Sequence, residues 1–262
     1  MATLKHIASK NSDYTAIEAY LVYQHDAFTG KQLLDEQGRP KLRESYILDT
    51  LECGDFSFAT ACLLANRKYG KNTQRDDIKS HQYIISFDPR DAADNGLTME
   101  KAQALGLKFC EENFSGHPAI VCTHPDGHNH SGNIHVHIVI GSIRTREVER
   151  KPYMQKPRDW LEGMKHSSTA QTMRHLRVEV MELCESAGLY LGFAFGVCLQ
   201  CGKHCRLIEL VPEMFRSDKL GSASGQIAQT PTAFLDGDAI LLHKSIGKLF
   251  KTRCAVQHRR NL

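Results

Sequence analysis

The sequence predicts an α+β fold, a central and mostly antiparallel sheet with helices packed on it. Helix and strand patterns alternate over residues 1–190, which is the signature of a layered sheet and helix domain. Two strong strand patterns, AIVCT (119–123) and IHVHIVI (134–140), are joined by a polar link that reads as a hairpin connection. The helical stretches carry their apolar residues on one face, as helices that cover a sheet must.

Taken in order, ATLKHIA (2–8) reads as a short opening strand. SDYT (12–15) offers capping side chains before AIEAYLVY (16–23), where Ile17, Tyr20 and Leu21 set out a helical face that ends at Gln24. A polar connection follows, punctuated by Gly30, Gly38 and Pro40. FSFATACLLANRKY (56–69) is a second helix stopped by Gly70. HQYIISF (81–87), rich in β-branched and aromatic residues and closed by Asp-Pro, is a strand. Thr98 caps a third helix, MEKAQALGLKFCEEN (99–113), with Ala102, Leu105 and Phe109 on one face, and a fourth covers 169–187 and ends at Gly188. Past Tyr190 the period is lost, and SASGQIAQTPT (222–232) has linker composition. The expected division is therefore a domain over 1–190 and an irregular tail over 191–262, with no internal repeat.

A hydrophobic content of 41% and a charged content of 24% exclude a disordered or membrane-embedded chain. No apolar run approaches the length of a spanning helix, and MATLKHIASKNSD has no apolar leader core, so a cytoplasmic protein without membrane insertion is expected. Cys53, Cys62, Cys110, Cys122 and Cys184 are scattered singly through apolar patterns, as reduced core cysteines are. The net charge of +3 does not by itself call for nucleic acid. The distribution of charge does more: RTREVERKPYMQKPR (144–158) reads as a basic loop.

The chemistry gathers in THPDGHNHSGNIHVHIVI (123–140). Strand side chains alternate, so Ile134, Val136, Ile138 and Ile140 share one face while His135 and His137 share the other. The apolar face packs under helices; the histidine face is expected to be free for a ligand. Two imidazoles at i and i+2 on a rigid strand can share a divalent metal, and the hairpin can return His124 beside them as a third ligand. Three neutral imidazoles leave positions open, which marks a catalytic centre. Asp126 is placed to accept the second ring N–H of a ligand. His128 and His130, among Gly127, Asn129 and Gly132, are read as turn decoration.

With these residues in view the chain resembles the relaxases, the mobilisation nucleases of plasmids and integrative conjugative elements in the HUH endonuclease superfamily. HPD (124–126) with HVHIVI (135–140) resembles the family's three-histidine motif, HQYIISFDP (81–89) the strand before it, and SDYTAIEAYL (12–21) the motif in which a helix presents a nucleophilic tyrosine. The resemblance covers about residues 1–190. It implies an HUH-type fold, a Mg²⁺ or Mn²⁺ ion on the three histidines, and attack by Tyr20 on a phosphodiester of single-stranded origin-of-transfer DNA. The products would be a 5′-phosphotyrosyl enzyme and a free 3′-OH. Tyr23, Tyr14, Tyr46 and Tyr69 are the competing nucleophiles, and the spacing within the motif favours Tyr20. Arg67, Lys68 and Lys71 of RKYGK, with Arg144, Arg146, Arg150 and Lys151, would contact phosphates. Relaxosome accessory proteins and a coupling protein are the implied partners.

Two positions depart from the family pattern. Gly141 stands where an Asn is common, and Glu52 where many relatives carry the Asn of an Asn-Cys pair. The alternatives are a rolling-circle initiator or transposase of the same superfamily, a hydrolase using metal-bound water, and a truncated protein that binds origin DNA without cutting. In the first group the tyrosine usually follows the histidine pair, whereas here it precedes it. CLQCGKHC (198–205), with Cys254 and His258, could form a zinc knuckle; the tail is otherwise read as a frame-altered or shortened C-terminus.

Overall fold

The computed structural model describes residues 2–26, 29–125, 132–156 and 159–190, and the backbone of 195–197 and 204–206. The chain divides into two units, Met1–Gly192 and Phe193–Leu262. In the second, β6 (Phe195–Val197) and β7 (His204–Arg206) pair antiparallel. Cys198, Cys201, Cys254 and His258 lie outside the described residues, as do Asp126, His128 and His130.

The first unit is built on a five-stranded, wholly antiparallel sheet in the order β1-β3-β5-β4-β2. Its strands are β1 (Thr3–Ser9), β2 (Ile47–Leu51), β3 (Ser80–Ser86), β4 (Ala119–His124) and β5 (His135–Gly141). Five helices accompany them: α1 (Tyr14–Val22), α2 (Phe58–Tyr69), α3 (Arg90–Asp94), α4 (Met99–Phe114) and α5 (Ala170–Ser186). The long helices start where a side chain can satisfy their open N–H groups. Asp13 accepts from Thr15 and Ala16, and Ser57, Thr98 and Thr169 each accept from the residue three positions on. Gly70 ends α2 at a φ of 57°, a left-handed conformation that glycine enters without steric cost.

Two elements were not legible as such. Strand β2 lies at the sheet edge with Asp49 and Thr50 exposed, so its sequence lacks the apolar alternation of a covered strand. Helix α3 has five residues, too few to show a helical period.

Strand parity divides the core. Tyr83, Ile85, Val121, Val136, Ile138 and Ile140 face α4 and α5, meeting Phe109, Phe114, Leu176 and Val180. The close approach of α4 depends on Gly106, where a Cβ would meet Val136 Cγ1 at 2.5 Å. On the other face Ile120, Cys122 and Val139 pack against Tyr14 and Leu21 of α1 and Phe58 and Cys62 of α2. The histidine face of β5 is therefore not open along its length, as the sequence alone implied. It is roofed by α1 and α2, whose apolar residues need the same sheet. The open part lies over β1 and β3, where Lys5 and Ile7 are exposed and Gln82, Ile84 and Ser86 half-buried. Cys53, Cys62, Cys110, Cys122 and Cys184 are free and buried.

His81 and His117 are interior, 2% and 1% exposed. Burial holds the His81 imidazole down at about 3 and that of His117 well below its ordinary value. Both fold as neutral rings, so the unfolded chain takes up protons first as acidity rises. Stability is expected to be intact above pH ~6.5 and to fall below it, with a limiting slope of about 1.4 kcal/mol per pH unit for each ring. Urea titrations between pH 7.5 and 5 check this; a midpoint independent of pH there would contradict it.

Candidate metal and nucleophile centre

The end of the β4–β5 hairpin brings the three imidazoles together. His124, the last residue of β4, pairs directly with His135, the first of β5, and His137 follows two positions on, on the same face. Ring centroids stand 5.3 Å apart for His124 and His135, and 4.9 Å for each of the other two pairs. One ring nitrogen from each falls within 4.8 Å of the others, a spacing that one cation can span after small side-chain rotations. His124 and His137 are buried and His135 half-buried, so a ligand can be approached from one side.

Neighbouring acceptors fix which nitrogen each ring offers. His124 Nε2 lies 2.8 Å from the Leu21 carbonyl oxygen, so Nε2 carries the proton and Nδ1 the lone pair. His135 Nδ1 faces the Asn133 carbonyl at 3.4 Å, which leaves Nε2 as its donor atom. His137 Nδ1 is 2.7 Å from the side-chain amide of Gln82 on β3. The amide atom placed there is Nε2, a donor to Nδ1; turning the amide through 180° would present its oxygen instead, to accept from Nδ1–H and leave His137 Nε2 as the ligand atom. The donor set fits a divalent ion with positions left for other ligands. Cys122 Sγ lies 3.3 Å from His124 Nε2, and burial pushes its thiol up to about 12, so it stays protonated beneath the site.

Helix α1 carries Tyr20 to this centre. Tyr20 is 37% exposed; its ring stands edge-on to His137 with centroids 6.3 Å apart and lies 5.0 Å from the ring of His25. The other tyrosines are placed differently. Tyr23 is the C-cap of α1, paired with Leu42 in a short bridge. Tyr14 is buried, its hydroxyl 3.3 Å from the Lys79 carbonyl and accepting from Asn66 at 2.9 Å. Tyr46 precedes β2, and Tyr69 bonds Thr145 and Glu162.

The basic residues of the sequence reading do not gather around the triad. Arg144 is 3% exposed and donates to the Ser115 carbonyl; desolvation lowers its guanidinium to about 10. Arg146 pairs with Glu52, Lys68 with Glu162 at 2.9 Å, and Lys151 donates to the Glu112 carbonyl. Arg150 lies over the Trp160 ring, and Arg67 and Lys71 are exposed. Residues 144–146 adjoin Ser115 and Gly116, which lie beyond the far end of β4 from His124, hence roughly 17 Å or more from the triad at about 3.3 Å per strand residue. Gly141 is likewise remote from the triad within β5; a Cβ there would meet Cys62 Sγ at 2.6 Å, so α2 occupies the space an Asn would need.

Gln82, His25 and the Leu21 carbonyl escaped the sequence reading. Gln82 did leave a trace, as the polar residue of HQYIISF on the parity opposite to Tyr83 and Ile85; the contacts of Leu21 and His25 depend on tertiary placement and leave none. Gln82→Leu is expected to weaken binding of Mn²⁺ by 10- to 100-fold by freeing the His137 ring. Isothermal titration checks this, and unchanged affinity would remove Gln82 from the site.

The first unit is an α+β protein with a sheet-borne group of three imidazoles that could hold a metal ion and a tyrosine on the adjacent helix. The family model described as relaxase, MobA/VirD2-like, nuclease domain, matches residues 37–189, and the chain belongs to this family. That span holds the triad and excludes α1. Protein rlx of Staphylococcus aureus is 30% identical over 140 residues, which are 53% of this chain and 34% of that protein; the match thus spans about a third of the relative. Similar solved structures include one described as the molecular basis of vancomycin resistance transfer in Staphylococcus aureus, at 14% identity, 73% and 96% coverage and a TM-score of 0.42. Another is the conjugative relaxase TrwC in complex with OriT DNA, metal-free, at 13% identity, 94% and 99% coverage and a TM-score of 0.43.

Proposed function

We propose that residues 1–190 form a relaxase domain that nicks one DNA strand at an origin of transfer and initiates conjugative mobilisation. The observation that supports it is the placement of Tyr20 edge-on to His137, so that nucleophile and ligand set stand side by side. His124, His135 and His137 would hold a divalent cation, Mg²⁺ or Mn²⁺, which when bound would supply positive charge to a scissile phosphate. The Tyr20 phenolic oxygen attacks phosphorus and loses its proton. The bond from phosphorus to the 3′ oxygen breaks, and that oxygen takes up a proton to become a free 3′-OH. Phosphate stays joined to the 5′ side of the strand and to tyrosine, so the bond energy is kept for rejoining. Asp126 is the further carboxylate proposed to orient a ligand ring.

The open sheet face over β1 and β3, with Lys5 and Ile7 exposed beside the triad, gives a single strand room to lie. Arg67, Lys71 and Arg150 are exposed and offered to phosphates further along the DNA, with Arg144, Arg146, Lys68 and Lys151 engaged by protein groups at the same end. The setting is the cytoplasm, with accessory proteins and a coupling protein as partners; no described helix is long and apolar enough to cross a membrane. Incubation with single-stranded origin DNA and Mn²⁺ followed by a denaturing gel tests the proposal. A covalent peptide–oligonucleotide species, mapped by mass spectrometry to Tyr20, is expected. Cleavage without any adduct would favour metal-bound water, and binding without cleavage a non-catalytic protein.

A further inference from the structure

A second group of histidines lies on the other face of the sheet, away from the proposed nicking centre. His6 of β1 and His81 of β3 lie diagonally across the strand pair, since His6 faces Tyr83 and His81 faces Ala8. Their nitrogens, His6 Nε2 and His81 Nδ1, are 3.0 Å apart, and the rings stack with centroids at 5.3 Å. His166 stands next to His81 at 4.8 Å, and His117 next to His166 at 5.5 Å. Adjacent rings here are spaced much as in the triad, where the separations are 4.9 to 5.3 Å. They run in a row rather than a triangle. His81 pairs with Ile140 and His137 with Ile84, so the two groups also sit three rungs apart along the sheet.

The chemistry of the pair is that of a chelate. Burial keeps His81 neutral, and half-burial lowers His6, so both rings carry lone pairs at neutral pH. Two imidazole nitrogens on one tetrahedral ion, at bonds of about 2.05 Å, stand roughly 3.3 Å apart, and on one square-planar ion about 2.9 Å. The observed separation falls between these, so an ion needs only that the shared proton move to the other nitrogen of its own ring, leaving two neutral imidazoles whose lone pairs face each other. The strands fix the separation, and His6, at the half-exposed edge of the sheet, gives an entry path. Lys165, whose charge reaches His81, is paired with Asp77 at 3.0 Å, which reduces its repulsion of a cation. The Tyr83 ring stacks on His6 at 4.6 Å while its hydroxyl lies 2.7 Å from His166 Nε2, which holds both neighbours in place.

We infer that His6 and His81 form a second metal site, selective for a borderline-soft transition cation such as Zn²⁺ over Mg²⁺, that pins the edge strand β1 to β3. A pair that supplies only two imidazole nitrogens, with no DNA phosphate to add oxygens, suits Zn²⁺, Cu²⁺ or Ni²⁺ rather than Mg²⁺, whose shell needs oxygen. The test compares zinc bound per chain, by atomic emission after equilibration with Zn²⁺, in the full-length protein and in His6→Ala. The triad and the cysteine-rich tail are identical in both, so zinc they hold cancels. The expected result is one ion fewer per chain in His6→Ala, with loss of part of the Zn²⁺-dependent rise in melting temperature. His81→Gln, which retains a hydrogen-bonding partner for His6, gives the same loss from the other ligand. Equal zinc content in wild type and in folded His6→Ala would overturn the site, as would an equal decrease in bound Mg²⁺.

Discussion

Tyr20→Phe is expected to abolish the covalent protein–DNA species, lowering adduct by at least about 10³-fold, the scale on which removal of an essential nucleophile acts. The change deletes one oxygen from a side chain that is 37% exposed, so the fold should be unaffected. Among the described residues no other tyrosine ring stands against the three imidazoles to replace it. Tyr23→Phe alters a residue beyond the helix end and should leave the adduct within about twofold. Tyr14→Phe should instead cost stability, because its buried hydroxyl joins the Lys79 carbonyl and Asn66. A net loss of about 1 kcal/mol is expected, read from urea midpoints. Quantifying adduct across the three variants separates these roles; undiminished adduct in Tyr20→Phe would overturn the mechanism.

His137→Ala is expected to remove the tight Mn²⁺ site and with it DNA cleavage, while DNA binding falls far less. The ring is 5% exposed, contacts both other ligands, and is gripped by Gln82. Its removal leaves two imidazoles, too few to retain an oxygen-preferring ion against water. The pH dependence has a definite sign: ligation requires neutral rings, so Mn²⁺ affinity should fall as acid protonates the imidazoles. Metal titration and single-turnover cleavage on the same preparation check this. Cleavage by His137→Ala at the wild-type rate in the same Mn²⁺ would mean that the triad does not serve the reaction.

Much of this arrangement could be seen in the sequence because it is periodic. The alternation in IHVHIVI separates His135 and His137 from Val136, Ile138 and Ile140, and the register that sets His124 opposite His135 follows from a hairpin. Helices α2, α4 and α5 were marked by caps and apolar faces. What stayed hidden has a common cause. Strand β2 is an exposed edge with no alternation to display, and Gln82 reaches His137 only because β3 lies next to β5, a neighbour relation that local pattern does not encode. The roof of α1 and α2 over the histidine face was hidden for the same reason. Charge clustering misled in a different way: Arg144 sits in a basic run, yet its side chain turns inward to the Ser115 carbonyl.

The 2.8 Å contact from His124 to the Leu21 carbonyl joins the last turn of α1 to a proposed ion ligand, one residue from Tyr20. If the proposed ion binds there, its affinity and the order of that turn would be thermodynamically reciprocal: whatever frays the turn would loosen the ion, and loading the ion would rigidify the turn by the same free energy. Catalytic readiness in this chain would thus be a titratable property, with occupancy of the centre setting how well the attacking oxygen is aimed before any DNA arrives.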